Sequence, residues 1–145
     1  MTTLRLEAFF DRPAKAYGVF QDRFGRPRRL FNADVEPSFE NGVLTLEENF
    51  TFDDGAKEQR IWHIEPKGDG VYQARANGVI GTARGQVEGP ALRWRYIFAL
   101  DIGSRVLNVQ FDDFMCQQTD TILINRAIVR KWGIRIGDLT LVFIK

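Results

Sequence analysis

Hydrophobic and polar residues alternate along most of this chain, a pattern that predicts β-strands because neighbouring side chains on a strand point to opposite faces. The clearest case is the segment 91–100, where Arg93 and Arg95 lie opposite a continuous apolar row. That row is Leu92, Trp94, Tyr96, Phe98 and Leu100. Corresponding rows are Leu44, Leu46, Phe50 and Phe52; Leu107, Val109, Phe111 and Met115; and Ile122, Ile124 and Ile128. Each of these strands is therefore expected to have one dry face and one wet face.

Turn-forming residues separate these runs at short, regular intervals, as in Asn41-Gly42, Asp53-Asp54-Gly55 and Gly68-Asp69-Gly70. Such residues tolerate a positive φ or preset a turn. They predict ten antiparallel strands in sequence order. The predicted strands are 15–24, 28–39, 43–52, 57–65, 71–76, 79–87, 91–100, 105–116, 121–131 and 135–144. If Asn77-Gly78 is a bulge and not a turn, the number falls to nine.

A meander of this size must bury its dry faces, and a sheet closed on itself does so while removing exposed edges. The prediction is therefore an all-β, up-and-down barrel in a single domain spanning residues 1–145. A β-sandwich is the alternative. Before the first strand, Leu6, Phe9 and Phe10 recur at helical spacing. They predict a short helix or turn that packs against the sheet.

Small residues concentrate in two neighbouring strands, 71–76 and 79–87. They are Ala74, Ala76, Gly81, Ala83 and Gly85. The favoured interpretation is sharp coiling of the sheet. The alternative is a wall that leaves volume inside a hollow barrel.

Four charged residues fall in otherwise apolar rows: Asp22, Glu48, Asp113 and Arg126. An unpaired buried charge costs several kcal/mol, so each must pair, reach water or shift its pKa. A position at the barrel rim, or a β-bulge that changes the facing, is the first explanation. An internal ion pair of Arg126 with Asp22 or Asp113 is the second, and a polar anchor for a ligand or an acid–base pair is the third. For Asp22 we expect an arginine partner that closes the barrel.

Aromatic residues are abundant, with twelve Phe, three Trp and three Tyr among 145 residues. Those expected to face the interior are Phe20, Trp94, Tyr96 and Phe111. The net charge of +1 provides no general attraction for nucleic acid. Scattered arginines are balanced by acidic residues, so a nucleic-acid platform is disfavoured.

Metal, cofactor and nucleophile motifs are missing from the sequence. The single cysteine, Cys116, cannot form an internal disulfide and is interpreted as an inert thiol. The single histidine, His63, is expected to be a half-exposed strand residue, with haem ligation a distant alternative. No metal site and no cofactor are predicted.

The N-terminal segment MTTLRLEAFF carries Arg5 and Glu7 within its only apolar stretch. It therefore matches neither a signal peptide nor a membrane span, and no lipobox cysteine follows. A cytoplasmic location is the expectation.

Several stretches together resemble a bacterial family known as domain-of-unknown-function family 3833. They include AYGVFQDRFGRPRR, LEENFTFDDG, LRWRY, FDDFM and LINRAIVRKWGIRIGDLTL. The resemblance covers nearly the whole chain and implies a calycin, or lipocalin-like, barrel. Some members look like lipoproteins, but this sequence lacks their N-terminal signal. By analogy with lipocalins, Gly18-Val19-Phe20 replaces their G-x-W, and Arg126 is the expected partner across Phe20.

A barrel of this kind supports three functional hypotheses, because a fold alone does not define an activity. The first is binding of a small hydrophobic or amphipathic molecule, with its polar end near Arg126, Asp113 or Glu48. The second is a calycin-type enzyme in which Asp22, Glu48 or Asp113 acts as acid or base. The third is a solid-cored structural or interaction module. The sequence identifies neither the ligand nor the oligomeric state.

Overall fold

Ten antiparallel strands form a closed barrel in a computed structural model that describes residues 2–101 and 104–145. A single short helix, α1 (Leu6–Phe9), precedes them. The strands are β1 (Ala14–Asp22), β2 (Pro27–Glu40), β3 (Val43–Phe52), β4 (Lys57–Gly68), β5 (Val71–Ala76), β6 (Val79–Glu88), β7 (Ala91–Asp101), β8 (Val106–Gln117), β9 (Ile122–Lys131) and β10 (Ile134–Ile144). Every strand pairs with its sequence neighbours, and β1 pairs with β10 to close the sheet.

The predicted barrel is confirmed, and the sandwich and nine-strand alternatives are wrong. Asn77 and Gly78 form the turn between β5 and β6, with Gly78 at φ +91°. The strand register shifts farther along β6, between Ile80 and Arg84, where Gly81 also has a positive φ. A positive φ costs glycine almost nothing, so glycine is the favoured residue at both places.

The N-terminal segment packs against the barrel, as its spacing of apolar residues predicts, and it covers one end. Its buried side chains are Leu4, Leu6, Phe9 and Phe10. The Leu4 N–H donates to the Gly89 carbonyl at 2.8 Å, and Lys145 Nζ donates to Asp11 Oδ1 at 3.0 Å. This segment, residues 4–11, which we call the plug, is therefore held both by apolar burial and by polar contacts to the surrounding chain.

Tyr72 anchors this plug from β5. Its hydroxyl donates to Glu7 Oε1 at 2.7 Å and accepts from the Leu6 N–H at 3.2 Å. Burial and the Glu7 hydrogen bond raise the Tyr72 pKa, so the phenol stays neutral.

Tyr72→Phe leaves the buried Leu6 N–H without a partner and should lower the free energy of unfolding by about 1–3 kcal/mol. Urea denaturation measures this, and the exposed Tyr17→Phe is the control with no expected effect; equal stability of the two variants would contradict the anchoring role.

Small residues in β5 and β6 lie in the packed half of the barrel. Ala74 and Ala83 are buried in the main core, and a Cβ on Gly85 would lie 2.9 Å from Leu92 Cδ1. These residues allow close approach of neighbouring side chains, in line with the favoured interpretation of sharp sheet coiling. None of these three small residues lines the interior cavity.

The face prediction is right for β3, β7 and β8 but wrong for β9. The side chains that β9 buries are Leu123, Asn125, Ala127 and Val129. Ile124 is exposed, and Arg126 is directed outward with its side chain 60% exposed. The isoleucine row therefore covers the outer wall. Among the described residues, no helix is long and apolar enough to cross a membrane.

Candidate functional site

The barrel contains a cavity of about 580 Å³ that extends from the plug to the opposite end. Leu6 and Phe10 of the plug segment form its floor. Its other end lies at the hairpin turns, where Arg29, Glu58 and Asn77 line it and are themselves exposed. The cavity is therefore reached from the end that carries the β1–β2, β3–β4, β5–β6 and β9–β10 turns, which we call the mouth.

Aromatic and aliphatic side chains form most of the cavity wall. The lining aromatic residues are Phe10, Phe20, Phe31, Phe50, Phe52, Trp62, Trp94, Tyr96, Phe98, Phe111 and Phe143. Trp62 stacks on Trp94 with ring centroids 5.8 Å apart, and Tyr96 meets Trp62 edge-on at 5.5 Å. Such interlocked rings hold their positions without a ligand, so the apolar wall is preformed.

Phe20 is held at the mouth by a glycine. A Cβ on Gly137 would lie 2.4 Å from Phe20 Cζ, so only glycine fits at this bulge of β10. Gly18 has a similar role, because a Cβ there would lie 2.3 Å from Phe31 Cζ. The glycines thus let two lining rings lie directly against the backbone.

Two polar side chains face the lumen from β3 and β4. Glu48 is only 6% exposed and is the cross-strand partner of Arg60. The Arg60 guanidinium lies 4.4 Å above the Phe98 ring and 3.8 Å from Glu58 Oε2. Burial raises the pKa of Glu48 to about 7, while Arg60 and the Trp62 indole lower it in part.

A second polar group faces the lumen from β7, β8 and β9. Asp113 accepts a hydrogen bond from the Asn125 amide and one of 3.4 Å from the Tyr96 hydroxyl. Burial raises the pKa of Asp113 to about 6, although the Asn125 amide opposes that rise. Asp113 also contributes to the raised pKa of Glu48, so the two carboxyl groups interact across the lumen.

Two buried N–H donors in this lumen have no hydrogen-bond acceptor within the described part of the chain. They are Arg60 Nε and Trp94 Nε1, although the Trp94 indole lies near enough to Asp113 to lower that carboxyl's pKa. Buried polar groups in native proteins are nearly always paired, so each such donor calls for an explanation. Both side chains line the cavity, but these two nitrogens are themselves buried. A molecule inside the cavity would instead meet the rest of the Arg60 guanidinium, whose side chain is 18% exposed.

The sequence-predicted residues divide into two sets. Glu48 and Asp113 line the cavity, as do the four predicted aromatic residues Phe20, Trp94, Tyr96 and Phe111. Asp22 and Arg126 do not line it, so their assignment to the interior is wrong.

Asp22 is the last residue of β1, and its side chain folds over the β1–β2 turn. Its carboxylate accepts from the Phe24 and Arg26 N–H groups, at 2.9 and 3.1 Å, and pairs with Arg28 at 2.7 Å. These contacts outweigh partial burial and lower its pKa. Asp22 has the arginine partner we expected, but the pair stabilises a hairpin and does not close the barrel.

Arg126 lies on the outer wall, where it donates to Asp138 Oδ2 at 3.1 Å. Arg135 binds the same carboxylate from the other side, at 2.7 Å. The two arginines cover Asp138, which is 4% exposed, and lower its pKa against the effect of burial. The predicted partnership of Arg126 with Phe20 or with Asp113 is therefore wrong.

Arg60 and Asn125 are the site residues that sequence reasoning missed. Arg60 has the same strand parity as Trp62 and Ile64, so extending that row by one step would have placed it inside. Asn125 becomes visible only when the inner face of β9 is taken as Leu123, Ala127 and Val129.

His63 is exposed on the outer wall, where its Nδ1 lies 3.5 Å from Thr45 Oγ1. In the described ranges, no group of three or more His, Cys, Asp or Glu side chains could hold a metal ion.

Comparisons with known proteins identify a family and a fold. A family model described as "Protein of unknown function (DUF3833)" matches residues 1–145. The structure is similar to the S-type phycobiliprotein lyase CPES from Guillardia theta, with a TM-score of 0.68 and 7% identity over 97% of this chain and 91% of that one. It is also similar to a protein of unknown function from the DUF3598 family of Nostoc punctiforme, with a TM-score of 0.68 and 8% identity. That match covers 100% of this chain and 50% of the other. No curated protein matches the sequence.

Proposed function

The chain belongs to the DUF3833 family of proteins of unknown function, and we propose that it binds one small amphipathic molecule inside its barrel. The supporting observation is a preformed cavity of about 580 Å³ whose aromatic wall also carries the Arg60 guanidinium. This volume lies within the roughly 300–1,000 Å³ typical of small-molecule sites. The hollow interior does not match the solid-cored alternative.

The wall composition defines the chemistry of the ligand. Stacked and edge-on aromatic rings favour an aromatic or aliphatic body. The guanidinium of Arg60, a charged donor in the cavity wall, favours an acceptor such as a carbonyl oxygen at the ligand's polar end. Similarity to a phycobiliprotein lyase supports a small-molecule role for this barrel shape, but at 7% identity it does not specify the ligand.

A matched pair of ligands tests the role of the donors. Naphthyl methyl ketone and ethylnaphthalene have similar shapes, but only the ketone carries an acceptor. Since a hydrogen bond to a charged donor contributes about 1.5–3 kcal/mol, we expect the ketone to bind at least about tenfold more tightly. Calorimetric titration measures both affinities.

Arg60→Met should reduce the ketone's advantage to less than about threefold, because the charged donor is gone, and should leave the ethylnaphthalene affinity within about twofold. Arg95→Met is the control, since Arg95 pairs with Asp112 on the outer wall. Circular dichroism establishes that each variant is folded. Absence of binding by both compounds at millimolar concentration would refute the proposal, and equal binding would refute the assigned polar end.

A further inference from the structure

The two most exposed large hydrophobic side chains among the described residues lie on two adjacent hairpin turns at the mouth. Trp132 in the β9–β10 turn is 86% exposed, and Phe24 in the β1–β2 turn is 73% exposed. Ile134, which follows the first turn, is 58% exposed. Because β1 pairs with β10, the two hairpins are neighbours around the barrel. We call residues 22–29 and 130–135 the basic–aromatic rim.

Trp132 occupies a position that the fold does not explain. Both central residues of its turn have positive φ, +51° for Trp132 and +77° for Gly133. Turns of this kind favour Asn, Asp or Gly, and a bulky side chain there is strained. The indole recovers no burial in exchange. A residue that is costly to the backbone and unused in the core indicates a role at the surface.

Positive charge accompanies these hydrophobic residues. The Arg23 guanidinium lies 4.9 Å from the Phe24 ring, and Lys131 Nζ lies 4.9 Å from the Trp132 ring. Residues 22–29 contain four arginines and one aspartate, and residues 130–135 contain two arginines, one lysine and no acid. The whole chain has a net charge of only +1, so the basic residues are concentrated here.

Part of this charge is not neutralised by neighbours. Four rim arginines have carboxylate partners: Arg28 pairs with Asp22, Arg29 with Asp54, Arg130 with Asp112 and Arg135 with Asp138. Arg23 and Arg26 have no ion-pair partner within the described residues. The neighbouring β3–β4 turn carries Asp53 and Asp54, and Asp54 lies 3.9 Å from Arg29 of the rim. The rim is therefore a local basic patch on a nearly neutral protein.

We propose that the basic–aromatic rim binds the surface of an anionic lipid bilayer. Trp and other aromatic residues partition to the headgroup region, and neighbouring Lys and Arg side chains bind anionic headgroups. Two turn tips that each pair an exposed aromatic ring with a cation combine both contributions. A protein partner would need a continuous complementary face, and the exposed rings lie instead on two separate turns.

Membrane binding at the rim would place the cavity mouth against the bilayer, since Phe20, Arg29 and Ile136 line the cavity beside these turns. An amphipathic ligand could then pass between bilayer and barrel without crossing water. This consequence rests on the proposed function. The docking itself does not, because it is argued from surface residues alone.

Vesicle sedimentation tests the docking. We expect the intact protein to sediment with vesicles of phosphatidylcholine and phosphatidylglycerol in equal parts at low salt, and not with phosphatidylcholine alone. Each basic residue near an anionic surface contributes about 1 kcal/mol, so Arg23→Gln with Arg26→Gln should weaken binding about thirtyfold. Arg75→Gln with Arg84→Gln, on the outer wall, is the control with no expected loss.

Trp132→Asn separates docking from folding. Asparagine suits a positive φ, so this variant should be at least as stable as the parent protein while binding vesicles about tenfold more weakly. Phe39→Ser removes an exposed ring at the plugged end and should bind as the parent does. A blue shift of tryptophan emission on vesicle binding, absent from Trp132→Asn, would support insertion of the indole.

Three results would overturn the proposal: no sedimentation of the parent protein, equal binding to both lipid mixtures, or unchanged binding by the arginine and Trp132 variants. Self-association that Trp132→Asn abolishes, without vesicle binding, would make the rim an interface between copies and would also overturn it. Amphiphile binding in the cavity is measured without lipid, so failure of one proposal leaves the other testable.

Discussion

As pH rises from about 4 to about 8, the free energy of unfolding should fall by several kcal/mol. The cause is the pair of carboxyl groups inside the barrel. The pKa of Glu48 rises from 4.5 to about 7, and that of Asp113 from 3.8 to about 6. Each shift corresponds to on the order of 3 kcal/mol of stability.

The direction follows from proton binding. Between the unfolded and folded pKa values the folded protein binds more protons than the unfolded chain, so stability decreases as pH increases. The stability is fully present below the unfolded pKa values and is lost once pH passes about 6 for Asp113 and about 7 for Glu48. Asp22 and Asp138 have lowered pKa values, so their opposite contributions fall below pH 4.

Glu48→Gln should remove about half of this dependence, because the amide does not ionise. Urea denaturation between pH 4 and pH 8 measures the effect, and Glu47→Gln on the outer face of the same strand is the matched control. A flat profile for the parent protein, or an unchanged slope in Glu48→Gln, would contradict the account of the interior.

Filling the cavity from β10 should abolish ligand binding. Leu139 lines the lumen and pairs with Phe20 on one side and Ala127 on the other. A tryptophan there would occupy space that a ligand needs, so the affinity for naphthyl methyl ketone should fall at least about hundredfold. The added bulk enters a void, so we expect a stability loss no larger than the roughly 1–3 kcal/mol of overpacking.

Val142→Trp is the control for Leu139→Trp, because it adds the same side chain to the same strand on the outer wall. Val142 pairs with Tyr17 and Ile124, which are both exposed. Calorimetry should detect parent-like binding by this variant. Parent-like binding by Leu139→Trp as well would place the ligand outside the barrel.

The alternation of apolar and polar residues predicts most of the barrel, because in most strands no bulge changes the direction of the side chains. In β3 and β8 the pairing is regular, so Glu48 and Asp113 follow their apolar neighbours into the lumen. In β9 the large isoleucines lie on the outer wall, while the inner face carries Asn125 and Ala127 beside the larger Leu123 and Val129. Hydrophobicity alone therefore selects the wrong row.

Two further features depend on contacts that alternation does not reveal. Asp22 belongs to the last position of β1, where its carboxylate caps a turn by accepting backbone N–H groups. The unsatisfied donors of Arg60 and Trp94 are visible only in the assembled lumen, because they result from the absence of an acceptor atom on the surrounding described strands. A sequence pattern gives the facing of a residue but not its hydrogen-bond partners.

Contact quenching of the interior tryptophans tests the central claim most directly. In Trp132→Phe, the remaining indoles are Trp62 and Trp94, which both line the cavity. Titration with an octanone that carries a terminal bromine should quench their emission saturably with one ligand per protein, while unbrominated octanone should compete and cause no quenching. Binding detected by calorimetry without any quenching would show that the ligand lies outside the barrel and would contradict the account.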